Sequence, residues 1–216
     1  MTPNEITDLI CLELGAENDF VFKQAMLARV NLSRNQQLKR SLEKSPQDRK
    51  FFTQRMLVKM ENFNHFSGTD LPACTWSRSA CYIPRPLRAN GIVLDYAGAV
   101  DGSRAFRHTQ EGTSRYVTAH PHAHHTYPFR IDDLRLVVER AGIEKSLVIG
   151  IFADPEEAYN IDAKTRDCKT CDFWESEYPC SEDVLDIVVQ EITGKWRREP
   201  VNLEVNGTQN RPDPTA

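Results

Sequence analysis

Apolar positions in the first sixty residues repeat at helical spacing. Thr2-Pro3-Asn4-Glu5 reads as a capping box with proline at the first helical position. Ile6, Leu9, Ile10 and Leu14 then fall three or four apart, and Gly15 is a natural stop. This predicts a helix over about 3–14. Asn18 or Asp19 can cap a longer helix reaching about Lys44, with Phe20, Leu27, Leu38 and Leu42 near one face. Asn31 and Arg34 interrupt that face, so partial burial or a bend is expected there. Ser45-Pro46-Gln47-Asp48 breaks the pattern.

The period then changes to two. Met56, Val58 and Met60 alternate with Leu57 and Lys59, which predicts a strand. From 55 to 152 the apolar runs are short and separated by turns: Ile92–Tyr96, a turn at Asp101-Gly102, Leu134–Val138, and Ser146–Phe152. No helical pattern alternates with them, so an antiparallel sheet is expected rather than parallel βαβ units. Asp154-Pro155-Glu156-Glu157 caps a short helix. After a polar loop to about Pro179, Ser181 caps a last helix carrying Val184, Leu185, Val188, Ile192 and Trp196 on one side. The expected fold is α+β: a helical segment at 1–54, a mainly β body at 55–180, a C-terminal helix at 181–199 packing with the N-terminal helices, and a polar, turn-rich tail at 200–216.

Composition narrows the setting. In 216 residues 27% are charged, and no apolar run approaches the roughly 20 residues that span a bilayer. The start lacks a basic segment followed by an apolar one, so no secretory leader is expected. Six cysteines, Cys11, Cys74, Cys81, Cys168, Cys171 and Cys180, are scattered, which for a cytosolic chain reads first as free thiols. The net charge of −4 is uneven: from Lys23 to Lys59 there are ten Lys/Arg against Glu43 and Asp48. A basic helical stretch on an acidic chain suggests a charge-directed contact with a partner or with nucleic acid, against the plainer reading of a solvated face. Lys23, Arg29, Arg34, Lys39 and Arg40, with Trp196 of the last helix, are the candidate partner-binding residues. Phe20, Phe22, Phe51 and Phe52 mix aromatics with those charges, as single-strand binders do, but the helices need them for packing.

Two clusters invite a metal. His120, His122 and His124, beside His125, would share one face of a strand, yet Pro121 and Pro128 argue for an irregular loop, and a polar loop at a subunit contact is the better reading. Cys168 and Cys171 have the separation that lets two thiolates reach one zinc. Cys180 would be a third ligand and Cys74 or Cys81 a fourth, but no second CxxC accompanies them, and free thiols are expected instead. No GxSxG, P-loop or GxGxxG occurs. Asp132-Asp133 would point to opposite faces of a strand and Glu156-Glu157 would favour a helix start, so both pairs read as structural. No catalytic residue and no cofactor is therefore expected.

One ordered set of motifs stands out: Ile83-Pro84-Arg85-Pro86-Leu87, then Tyr96–Gly102, then Gly150-Ile151-Phe152-Ala153-Asp154-Pro155-Glu156-Glu157-Ala158, then a cysteine-containing loop leading to Glu177-Tyr178-Pro179. With Arg34–Leu42 and Phe51-Phe52-Thr53-Gln54 before them, this order resembles the ring or head–tail connector proteins of crAss-like and related short-tailed phages, over roughly 20–195. The His-rich loop is not part of the resemblance. The resemblance implies a non-enzymatic virion protein that forms a homo-oligomeric, dodecameric ring. Such a ring docks on the portal, extends the DNA channel, contacts passing DNA loosely and seats other tail or ring proteins. The alternatives are a metal-dependent enzyme such as a nuclease, and a non-specific nucleic-acid-binding module.

Overall fold

The computed structural model describes residues 1–16, 19–44, 46–65, 74–87, 94–109 and 127–198. Helix α1 (Pro3–Leu14) starts at the predicted capping box: Thr2 accepts from the Glu5 amide, and the Glu5 carboxylate accepts from the Thr2 amide. It ends at Gly15, left-handed at φ 60°, a conformation that glycine adopts without steric cost. Helix α2 (Phe20–Lys44) follows, then a 3-10 turn at Pro46–Phe51. The strands are β1 (Gln54–His65), β2 (Cys74–Ser79), β3 (Tyr96–Gly98), β4 (Arg107–His108), β5 (Pro128–Asp132), β6 (Arg135–Val138) and β7 (Lys145–Gly150). Helices α3 (Pro155–Thr165) and α4 (Glu182–Arg198) follow the strands. The α+β class is as expected.

The seven strands run in the order β3-β7-β1-β2-β6-β5-β4. Twelve residues long, β1 serves two neighbours. Its first half, from Gln54, pairs β7, and its second half, from Met60, pairs β2. The sheet then turns back on itself. The Phe106 amide donates to the Ala97 carbonyl at 2.6 Å and Ala99 to Arg104 at 2.8 Å, on the β3 side. A few residues on, Arg107 donates to Tyr127 at 2.9 Å and Thr109 to Phe129 at 2.8 Å, on the β5 side. Residues 104–109 thus clasp both ends of the sheet into a small barrel and satisfy edge groups that would otherwise recruit other chains. One expectation is corrected here: the strand placed at 92–96 is Tyr96–Gly98, residues 92 and 93 lying outside the described set. The sheet is mostly antiparallel, as expected, with β4 pairing β5 in parallel.

Two cores divide the apolar residues. Met56, Val58 and Met60 face one way along β1 and meet Ala97, Phe106, Phe129, Leu136, Val138 and Val148 inside the barrel. Helix α3 closes over it with Ala158, and the Asp162 carboxylate accepts from the Leu57 amide at 2.7 Å. The second core joins α1, α2 and α4 through Ile6, Ile10, Met26, Val30, Leu185 and Val188. Ile151 and Phe152 are consecutive and enter opposite cores, Ile151 the helical one and Phe152 the barrel.

Gly98 is where the clasp is tightest. A Cβ there would run into the Arg104 carbonyl and the Tyr96 ring, whose hydroxyl already donates toward the Ala99 and Arg104 carbonyls. Backbone cannot yield as a side chain does. Gly98→Ala is expected to cost about 2 kcal/mol or more through this overpacking, read as a drop in the urea midpoint. An unchanged midpoint would mean that the clasp contributes nothing to stability.

Candidate assembly surface

The predicted partner-binding residues do not form one surface. Lys23 turns inward along α1, pairing with Asp8 at 2.6 Å and donating to Asn4 at 2.9 Å. Arg29, Lys39 and Arg40 are exposed on α2. Trp196 lies in α4, but its side chain is outside the described set. Arg34 is a correction: expected on a partner-facing side, it is fully buried. Its Nε donates to the Pro179 carbonyl at 3.0 Å, and its Nη1 to the Phe152 carbonyl and to Asn35 Oδ1, each at 3.2 Å. Its guanidinium lies 5.6 Å from the centre of the Tyr178 ring. Tyr178 in turn donates to Asn31. The two polar residues that interrupt the apolar face of α2 are therefore the pin between the helices and the barrel. Burial pushes the Arg34 pKa down, the neighbouring Tyr178 and Cys180 opposing it.

The candidate metal ligands also separate. Cys168 and Cys171 form a disulfide with Cα atoms 5.6 Å apart, which corrects the expectation of free thiols for this pair and engages both sulfurs. Cys180 is free and turned toward Arg34. Cys81 is free, and the Cys74 side chain is outside the described set. His120, His122 and His124 also lie outside it. Among the described residues no three His, Cys, Asp or Glu side chains are grouped as a metal site.

What does form a surface is apolar. Among the described residues the large exposed hydrophobics concentrate on the helices: Leu9, Leu12, Phe20, Val21, Leu32 and Ile187. On α2, Val21, Ala25, Ala28 and Leu32 are all exposed and spaced four, three and four apart. They line the face opposite the buried residues Met26, Val30 and Arg34. A helix face turned to water is normally polar, and a stripe at this spacing is the seam on which a second helix packs. The signal was present in the sequence as an α2 that is apolar on both sides through its first three turns. Lys39 and Arg40 follow the stripe at its C-terminal end.

An exposed apolar seam of this kind suits a protein that works by packing against others. A family model described as phage tail ring protein 2 matches residues 5–209. The chain belongs to this family of crAss-like phage ring proteins. No curated protein matches it. Membership of a tail ring family points to a structural role in a bacteriophage particle. Among the described residues no helix is long and apolar enough to cross a membrane.

Proposed function

We propose that this chain is the repeating subunit of a homo-oligomeric ring at the head–tail junction. The ring docks on the portal, continues the DNA channel and seats the next tail component, and it performs no catalysis. The observation that carries this reading is the family match over residues 5–209, supported by the exposed apolar seam of α2, which a solitary protein would have no reason to keep. Twelve copies are expected, matching a twelvefold portal.

The test is the native mass of the full chain, alone and mixed with the portal protein of the same phage. A closed multimer in either sample is the expected result. A monomer in both, up to the highest attainable concentration, overturns the reading. Residues 200–216 are expected to reach a neighbour. Deleting them should raise the concentration needed for assembly about tenfold while leaving the thermal midpoint of the monomer unchanged. Assembly at the wild-type concentration would remove the tail from the interface.

A further inference from the structure

A cyclic ring larger than a dimer is built from head-to-tail contacts, in which one face of each copy meets a different face of the next. The α2 stripe cannot then pair with itself around the ring. We infer that it packs antiparallel against the outer face of α4 of the neighbouring copy, an inference that rests on the ring reading above.

That outer face has the matching form. Asp183, Ile187, Gln190 and Gly194 run along α4 at the same four-three-four spacing as Val21, Ala25, Ala28 and Leu32 along α2. They lie opposite the buried Val184, Leu185, Val188 and Ile192, and Ile187 is 46% exposed. Gly194 is the informative residue. A glycine inside a helix costs roughly 1 kcal/mol relative to alanine. Its backbone does not need the left-handed region, and a Cβ built on it meets nothing within 4 Å. Neither its conformation nor packing among the described residues calls for glycine here, whereas the close approach of another helix does. Antiparallel, with Leu32 set beside Ile187, Ala25 falls level with Gly194 and Ala28 with the Gln190–Glu191 step. A small residue thus faces a small residue at Ala25 and Gly194, where the two backbones can come nearest.

Charge completes the fit. Lys39 and Arg40 lie beyond Leu32, while Glu182, Asp183 and Asp186 lie on the N-terminal side of Ile187; all five are exposed. At 1.5 Å per residue, Lys39 is about 10 Å from Leu32 and Asp183 about 6 Å from Ile187. A lysine side chain spans the difference. The acids also sit at the N-terminal end of α4 and the bases near the C-terminal end of α2, each where the helix dipole favours them. A parallel arrangement would put the bases beyond Gln190, away from the acids.

Gly194→Leu tests this with a change that other roles of the residue would not produce. Leucine is the better helix former and has open space to occupy, so the monomer should melt at the same temperature or higher. The concentration for half-assembly should nevertheless rise at least tenfold. Leu32→Glu, on the opposing stripe, should do the same. The pair Ala28→Cys with Gln190→Cys should give subunits linked into multimers on mild oxidation. If both single variants assemble at the wild-type concentration, or if oxidised double-cysteine rings dissociate wholly to monomers in denaturant, the α2–α4 seam is wrong and the ring stands. If the wild-type chain forms no ring, alone or with portal, the ring reading and this seam fall together.

Discussion

Replacing Arg34 by methionine is expected to lower the stability of the fold by about 3 kcal/mol, and by alanine about 3–5 kcal/mol. The side chain is fully buried and, among the described residues, no carboxylate is bonded to it; its charge is held by the Pro179 and Phe152 carbonyls, the Asn35 amide oxygen and the Tyr178 ring. Burying an unpaired guanidinium is costly, so an apolar replacement of the same length would at first sight be favourable. The decisive point is that its partners are backbone. When a buried ion pair is exchanged for apolar groups, both partners go. Here the two carbonyls stay behind, each losing a donor at about 1–3 kcal/mol. Methionine keeps most of the volume and isolates this loss; alanine adds the cavity. Because Arg34 ties α2 to the end of the barrel, the variants should also unfold less cooperatively, with a smaller dependence on urea. Equal midpoints for wild type and Arg34→Met would mean that the pin is dispensable.

Arg34 also marks where sequence reading stopped. One dimension gives periods and caps, and where those decide an element it was legible: Thr2 to Glu5 fixed the start of α1, Gly15 its end, and Asp154 the cap of α3, whose carboxylate accepts from the Glu156 and Glu157 amides. An arginine amid apolar residues reads as surface because burying it alone is unfavourable. Its acceptors stand 118 and 145 positions away, at Phe152 and Pro179, and nothing local announces them. The barrel was hidden for a related reason. Its clasp contains a strand of only two residues, Arg107–His108, too short for a period, and its closure depends on Gly98 admitting the Arg104 carbonyl. The disulfide was missed because a CxxC spacing alone does not choose among metal, free thiols and a bridge. The basic stretch from Lys23 to Lys59 overstated the charged surface, since Lys23 and Arg34 turn inward and Arg49 pairs with Asp95. The assembly seam was readable in part. Val21, Ala25, Ala28 and Leu32 repeat as clearly as the core residues, but only the folded helix tells which of two apolar faces is left over.

The same pin makes stability depend on alkaline pH. Cys180 sits beside Arg34 at the junction, and burial pushes its thiol from the ordinary 9.0 up to about 11, even though the guanidinium draws it down. Tyr178 is raised in the same direction, again by burial. In the unfolded chain Cys180 loses its proton near pH 9, while the folded protein holds it until about 11. Between those values the unfolded state binds fewer protons, so the free energy of unfolding falls as pH rises, by up to about 1.4 kcal/mol per unit. The contribution is whole below pH 9 and lost by about 11, roughly 2–3 kcal/mol in all. Tyr178 should steepen the loss above pH 10. Buried Cys11 and half-buried Cys81 are also raised by burial and add to the slope in the same sense. The informative measurement is a difference between wild type and variant. Urea unfolding of wild type and Cys180→Ala at intervals from pH 7 to 10.5 should show the variant less stable or equal at pH 7, and its curve flatter between pH 9 and 10.5. Parallel curves would mean that the Cys180 thiol ionises as freely in the folded protein as in the unfolded chain, and that the space around Arg34 is open to water.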